Sequence, residues 1–162
     1  MFVYKKIIVV GCCGSGKSTF AKKLAEKTGL PLYHLDNIYW FPDASHLERP
    51  EFIKRQNEIM KNDRWIIDGN YGSTIKHRIK ECELVFFFDL PTDVCLKGVV
   101  QREKVRDDIA CELEPDKALL DYIINYNKKS KPKLLFLFML HPRVKVISFK
   151  SHKEADDYLS TL

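Results

Sequence analysis

The sequence predicts an α/β protein with a five-stranded parallel sheet and helices on both faces. Strand-like and helix-like segments alternate along the chain, as they do when crossover helices connect parallel strands. Two runs without a polar residue, Ile7–Val10 and Leu84–Phe88, are typical of strands buried on both sides. A glycine-rich segment follows the first run, and a helical pattern follows the glycines. Together these observations indicate the α/β class.

The first half of the chain contains signals for three strands and two long helices. Gly29, followed by Pro31, ends the first helix, and Pro50 opens the second. The predicted elements are a strand at 6–10, a helix to about residue 27, a strand at 31–35, a helix at 50–62, a strand at 64–68 and a short helical piece at 74–80.

The second half continues the alternation. Pro91 and Thr92 begin a helix after the apolar strand, and Pro132 suits the start of another. The predicted elements are a strand at 84–88, a helix to about residue 104, helices at 115–127 and 132–140, a strand at 144–149 and a terminal helix.

Polar residues collect where the predicted strands end. In open α/β sheets, ligands bind beyond the carboxyl ends of the strands. Here those ends carry Gly11–Ser18, Asp36, Asp68, Asp89 and the segment after Phe149. Four of the five have phosphate-loop or carboxylate chemistry, so the sequence predicts a ligand site at this edge.

The segment Gly11–Ser18 fits the Walker A pattern G-x-x-x-x-G-K-[ST] between a strand and a helix. Its glycines let backbone N–H groups turn toward an anion, and the helix start adds free N–H groups and a positive dipole end. Lys17 would reach the β- and γ-phosphates, and the Ser18 hydroxyl would hold Mg²⁺. ATP is the default triphosphate, because Asn127–Ser130 lacks the aspartate of a guanine-binding signature. The predicted nucleotide-binding residues are Gly11, Cys12, Cys13, Gly14, Ser15, Gly16, Lys17, Ser18 and Thr19.

Composition narrows the class of protein. A hydrophobic fraction of 45% with 30% charged residues is ordinary for a globular chain. The longest apolar stretch, 134–140, is too short to span a bilayer, so we expect a cytoplasmic protein without a membrane partner. The five cysteines include no C-x-x-C pair and suit reduced thiols better than a disulfide framework or a zinc site.

The net charge of +5 is partly concentrated in the segment 128–133. Such a segment either attracts nucleic acid or phosphates, or forms a solvated connection between two helices. The second interpretation is favoured because Pro132 suits a helix start and no DNA-reading module is visible. Nucleic acid is therefore a possible but not a favoured partner.

Five segments together resemble the adenylate-kinase-like P-loop family known as "topology modulation protein". They are 11–19, 32–36 with Trp40, 63–71, 88–91, and the arginines Arg102 and Arg106. More distantly, the chain is similar to nucleoside-monophosphate, shikimate and gluconate kinases. The resemblance implies one P-loop kinase-like domain over 1–162, with an acceptor-binding segment at about 36–62 and a short helical lid at about 102–115. It also implies ATP and Mg²⁺ as cofactors.

The resemblance assigns the magnesium carboxylate to Asp68, which in such proteins orients magnesium-bound water. The alternative is a turn-forming role before Gly69. Asp89 competes for the metal, although the corresponding Asp-Leu-Pro corner is mostly structural in the resembling kinases. His34 is expected to be a structural strand residue.

The resemblance places the acceptor around Asp36, since in the resembling kinases an aspartate in this neighbourhood grips or activates the acceptor hydroxyl. The alternative for Asp36 is a helix or turn cap. Trp40 would either stack on a ring or pack in the core. Gly69, Asn70 and Tyr71 would line the acceptor pocket or simply form a turn.

Three arginines complete the predicted site. The resemblance assigns Arg78 to an acceptor phosphate, with a helix-surface charge as the alternative. Arg102 and Arg106 are four residues apart and would share one helix face, which suits two clamps on the transferring phosphate. Alternatively, Arg106 pairs with acids beside it. The family pattern departs here, since 107–114 is acidic.

Three functions follow as hypotheses. The first is phosphorylation of a nucleoside monophosphate or nucleoside by ATP. The second is phosphorylation of another small hydroxylated metabolite. The third is an ATP-binding regulatory protein that acts on DNA or on a partner, with little turnover. The sequence leaves the acceptor and the oligomeric state open.

Overall fold

The computed structural model describes residues 2–101 and 116–162, and in these residues five parallel strands form one sheet in the order β2-β3-β1-β4-β5. This confirms the predicted fold class. The strands are β1 (Lys6–Gly11), β2 (Leu32–His34), β3 (Trp65–Asp68), β4 (Leu84–Phe88) and β5 (Lys145–Phe149).

Helices cover both faces of the sheet. The helices of the described ranges are α1 (Lys17–Thr28), α2 (Leu35–Tyr39), α3 (Arg49–Met60), α4 (Ile75–Glu81), α5 (Thr92–Gln101), α6 (Lys117–Lys129), α7 (Lys131–Leu140) and α8 (His152–Ser160). None of them is long and apolar enough to cross a membrane.

The alternation of side chains along β1 divides the core in two. Ile7 and Val9 face a cluster with α1, α5, α6 and α8, while Ile8 and Val10 face a cluster with α2, α3, α4 and α7. Strand β4 is buried along its whole length, because it lies between β1 and β5 and is covered on both faces. This accounts for the two uninterrupted apolar runs.

The second strand is shorter than predicted, and this corrects the position of Asp36. Strand β2 ends at His34, and Asp36 lies in the first turn of α2 rather than at the end of a strand. The early turn inserts the fully buried Leu35 beside Gly69, where an added Cβ would lie 2.9 Å from Leu35 Cβ. Apolar packing therefore bends the chain into a helix before Asp36.

Candidate active site

The loop between β1 and α1 lies at the carboxyl edge of the sheet and leads into a helix without a side-chain cap. Helix α1 begins at Lys17, and the preceding Gly16 has a φ of 83° with no side-chain cap. The first turn of α1 contains no acidic residue. Lys17 and Ser18 are buried, and the buried Ser15 Oγ has no hydrogen-bond partner among the described residues. Such an uncapped helix start can bind an anion.

The loop rests on the backbone of α5. Gly14 has a φ of 78°, and a Cβ there would lie 2.0 Å from the Cys95 carbonyl oxygen. In turn, a Cβ at Gly98 would lie 2.1 Å from the Gly14 carbonyl oxygen. Both positions therefore need glycine. Beside this contact the buried thiols of Cys12 and Cys95 hydrogen-bond each other, which raises the pKa of Cys12 and lowers that of Cys95.

Asp68 lies at the centre of the candidate site. Its Oδ2 is 2.8 Å from His34 Nδ1, because the parallel register of β2 and β3 pairs these two residues. Burial opposes ionisation of this carboxyl group, but the His34 hydrogen bond, the Lys17 charge and the Ser18 hydroxyl hold the pKa of Asp68 below its usual value. Asp68 is therefore a buried carboxylate within the field of the phosphate-loop lysine.

The residues present fit a magnesium ion. Asp68 Oδ1 is buried and has no hydrogen-bond partner among the described residues. The Ser18 hydroxyl lies near the same carboxyl group. The described ranges contain no group of three or more His, Cys, Asp and Glu side chains that could hold a metal. Mg²⁺ in kinase sites commonly uses one or two protein oxygens and completes its shell with phosphates and water. One carboxylate and one hydroxyl satisfy that pattern.

Asn70 hydrogen-bonds the first glycine of the phosphate loop. Its Oδ1 accepts a hydrogen bond of 2.9 Å from the Gly11 N–H, and its Nδ2 donates to the Gly11 carbonyl. The side-chain amide thus satisfies both backbone groups of Gly11. These two bonds link β1 to the segment after β3. The predicted contact between Asn70 and an acceptor stays a prediction.

Arg78 is fully buried, so the alternative of a helix-surface charge is wrong. Its guanidinium donates to the carbonyls of Gly69, Asn70 and Tyr71. Burial lowers the pKa of Arg78 to about 10, which leaves the group charged at neutral pH. Arg78 therefore fixes the backbone after Asp68. Because Arg78 is buried, it presents no exposed donor to an acceptor phosphate. The predicted contact with such a phosphate stays a prediction.

Asp36 and Tyr71, which were both predicted to contact the acceptor, hydrogen-bond each other. The Tyr71 hydroxyl donates a 2.6 Å hydrogen bond to Asp36 Oδ1, and burial together with the Asp36 charge raises the pKa of Tyr71. Tyr71 has a φ of 40°, so the turn after β3 directs its ring back toward α2. Trp40 is half-buried and packs edge-on against Tyr39 and His46. The aromatic residues thus pack on one another beside Asp36.

Asp89 forms ion pairs with two lysines outside the phosphate loop. Its carboxylate contacts Lys131 at 2.5 Å and also pairs with Lys150. Lys131 belongs to the basic segment, which lies at the junction of α6 and α7 with only Ser130 between the two helices. The structural interpretations of Asp89 and of the basic segment as a helix connection both fit this arrangement.

Sequence reasoning missed two contacts of the site. His34 was expected to be a structural strand residue, and its hydrogen bond to Asp68 was not predicted. His152, the first residue of α8, has its Nε2 3.1 Å from the Ser15 carbonyl oxygen. The signal for His152 was its position three residues after the end of β5, in the segment that follows the carboxyl end of that strand. Next to it, a cavity of about 230 Å³ lies between α1 and α8, lined in part by Gly16, Thr19 and Asp156.

A larger groove lies elsewhere. It measures about 760 Å³ and includes Val3, Glu83 and Lys145, which mark the amino edge of the sheet, opposite the phosphate loop. Its position separates it from the candidate site. Arg102, Arg106 and the predicted lid at 102–115 lie outside the described residues.

The chain is similar to known kinases. It is 34% identical over 85 residues to the adenylate kinase of Thermotoga neapolitana. The aligned segment covers 51% of this chain and 38% of that protein. It is 29% identical over 122 residues to the adenylate kinase of Thermosipho africanus. This aligned segment covers 74% of this chain and 52% of that protein. The chain therefore spans about 38% to 52% of the length of these curated relatives. No protein-family model matches it.

The structural comparison supports the fold over the whole chain. The structure of shikimate kinase from Bacteroides thetaiotaomicron superposes with a TM-score of 0.62 at 15% identity and covers 98% of this chain and 96% of that chain. The fold is that of a P-loop kinase. The resemblance to topology modulation proteins stays a prediction, since no comparison tests it.

Proposed function

We propose that this chain is an ATP- and magnesium-dependent kinase that transfers the γ-phosphate of ATP to a small acceptor, with a nucleoside monophosphate or nucleoside as the first candidate. The observation that carries the proposal is the meeting of Lys17, Ser18 and Asp68 at the carboxyl edge of a parallel sheet. Similarity to adenylate kinases supports both the chemistry and the acceptor class.

Each residue has a role that follows from its position. The loop amides and Lys17 would bind the phosphates, and Ser18 with Asp68 would hold Mg²⁺. When bound, Mg²⁺ neutralises charge on the transferring phosphate. Asp36 would accept a hydrogen bond from the acceptor hydroxyl. Thr19 lines the cavity between α1 and α8, and in this proposal that cavity would receive part of the remainder of the nucleotide. In this proposal Arg102 and Arg106 belong to a lid at about 102–115, within one kinase domain.

A second candidate acceptor is an unphosphorylated hydroxylated metabolite. One observation favours it, namely that the guanidinium of Arg78 is engaged by three backbone carbonyls. A nucleoside monophosphate would need another cation for its phosphate, whereas a polyol or nucleoside would need only Asp36 and its neighbours. A matched pair of acceptors, one nucleoside and its monophosphate, distinguishes the two classes.

The test is ATP consumption with Mg²⁺ across nucleoside monophosphates, nucleosides, polyols and small hydroxy acids, for the wild type and for Lys17→Ala. The matched control is Lys27→Ala, at the exposed last turn of the same helix. Stimulation by one acceptor, lost in Lys17→Ala and kept in Lys27→Ala, supports the proposal and identifies the acceptor class. Full activity in Lys17→Ala, with both variants folded by circular dichroism, contradicts it.

A third outcome would favour the regulatory hypothesis. Tight ATP binding without turnover on any acceptor would point to a nucleotide-gated protein, and a gel shift with duplex DNA at two salt concentrations would then be decisive. Binding through lysines of the basic segment must weaken steeply with salt. We expect no salt-dependent shift, because Lys131 of that segment is paired with Asp89.

A further inference from the structure

His34 and Asp68 form a buried polar pair between adjacent strands. The His34 side chain is 10% exposed and that of Asp68 is 4% exposed. The register of β2 and β3 pairs His34 with Asp68. Their side chains therefore start from neighbouring backbone positions, and His34 Nδ1 lies 2.8 Å from Asp68 Oδ2. The pair is therefore fixed by the sheet itself.

The chemistry of the pair determines which atom donates. A carboxylate can only accept hydrogen bonds, so the proton in this contact belongs to His34 Nδ1. With Oδ2 held in this way, the second oxygen, Oδ1, is the one without a partner among the described residues. Lys17 and Ser18 lie close enough to the same carboxylate to favour its charged form. Oδ2 thus accepts the hydrogen bond from His34, and Oδ1 remains available to a ligand.

We propose that His34 is a positioning residue for the magnesium site, and that its Nδ1–H orients Asp68 so that Oδ1 receives the metal or its bound water. The inference rests on the proposed function, since it needs Asp68 to face magnesium. Partners that orient a metal-binding side chain typically contribute 10-fold to 100-fold to metal affinity. His34 does not touch the phosphates in this account and acts through Asp68 alone.

The test measures metal binding rather than turnover. Mn²⁺ replaces Mg²⁺, and the free Mn²⁺ signal in electron paramagnetic resonance gives its Kd in the presence of saturating ADP. His34→Leu removes the donor, while His34→Asn retains an amide N–H near the position of Nδ1. We expect a Kd raised about 10-fold to 100-fold in His34→Leu and restored to within about threefold of the wild type in His34→Asn. ADP affinity without metal should be unchanged in both.

Controls separate this inference from a role in stability and from the proposed function. His77→Leu, on α4, should bind Mn²⁺ like the wild type, and Asp68→Asn should lose Mn²⁺ binding. Unchanged Mn²⁺ affinity in His34→Leu, or equal weakening in His34→Asn, overturns the inference even if either variant has a lower Tm. If Asp68→Asn binds Mn²⁺ normally, Asp68 is not the ligand and the inference is wrong. If the wild type binds neither ADP nor Mn²⁺, the proposed function itself fails.

Discussion

Asn70 and Gly11 are joined by two hydrogen bonds, in which one side-chain amide satisfies both the N–H and the carbonyl of the first glycine of the phosphate loop. The two residues are 59 positions apart in the chain. Gly11 ends β1 and Asn70 follows β3, the neighbouring strand. The loop is therefore anchored at its start by a residue of the adjacent crossover.

Asn70→Ala should destabilise the protein by about 1–3 kcal/mol, because two backbone groups lose their partner at a half-buried position. It should also weaken ATP binding, since the loop start is no longer held. Urea denaturation and nucleotide titration measure the two effects. Asn125→Ala, whose half-buried side chain donates to the Asp121 carbonyl of its own helix, is the control and should change stability by less than about 0.5 kcal/mol. Equal stabilities of the two variants would contradict the anchoring role.

Gly98→Ala should displace the phosphate loop. Glycine to alanine in a helix usually stabilises a protein by roughly 1 kcal/mol, but here the new methyl group would meet the Gly14 carbonyl at 2.1 Å. We expect a net cost of about 1–3 kcal/mol and a loss of ATP affinity of about tenfold or more. Gly72→Ala, where an added Cβ meets nothing within 4 Å, is the control for both measurements. A Gly98→Ala protein with wild-type ATP affinity would show that the loop tolerates the shift.

Tyr71→Phe should affect the acceptor and spare ATP. The lost hydroxyl donates the 2.6 Å hydrogen bond that orients Asp36, so kcat/KM for the acceptor should fall by about tenfold, as expected for the loss of one hydrogen bond to a charged group. The Kd for ATP should stay the same. Tyr4→Phe, near the opposite edge of the sheet, should change neither value. A change confined to ATP binding would place Tyr71 outside the acceptor side.

Asp89→Asn should lower stability at neutral pH and not at low pH. Although partial burial opposes ionisation, the ion pairs with Lys131 and Lys150 hold the pKa of Asp89 below its ordinary value of 3.8. The carboxylate therefore contributes stability that is fully present above that value and is lost as the pH falls through the lowered pKa of the folded state. Because both lysines are partly exposed, we expect about 0.5–2 kcal/mol.

Urea denaturation of wild type and Asp89→Asn from pH 7 to pH 3 measures this difference. It should be constant down to about pH 5 and shrink below the ordinary carboxyl pKa. Lys150→Ala should reproduce part of the loss, because it removes one of the two ion pairs. A difference that grows on acidification would contradict the sign of the predicted linkage.

Most secondary structure could be predicted because it is encoded locally. The apolar run Leu84–Phe88 forms β4 with the predicted bounds, and Gly29 ends α1 in the left-handed conformation, with a φ of 67°. The exception, the early end of β2, depends on Leu35 packing beside Gly69. That contact joins residues far apart in the chain, so no local pattern reports it.

The residues of the candidate site likewise fall into those that local sequence patterns could predict and those that depend on distant contacts. The Walker A loop, Ser18 and Asp68 could be placed from spacing and from the rule that ligands bind at the carboxyl edge. The roles of His34, Asn70 and Arg78 could not, since each side chain hydrogen-bonds to a group on another segment or to a folded turn. An arginine or an asparagine that follows a strand gives the same sequence pattern whether its side chain contacts a ligand or a backbone group.

By itself, the sequence determined the order of strands and helices, the buried strands and the presence of a phosphate-binding loop, because periodicity and glycine spacing act over a few residues. The tertiary structure alone decided which polar groups meet. His34 reaches Asp68 across 34 residues and Asn70 reaches Gly11 across 59. Both pairings depend on the strand order β2-β3-β1 and its register, which arise only when the apolar faces of distant segments pack together.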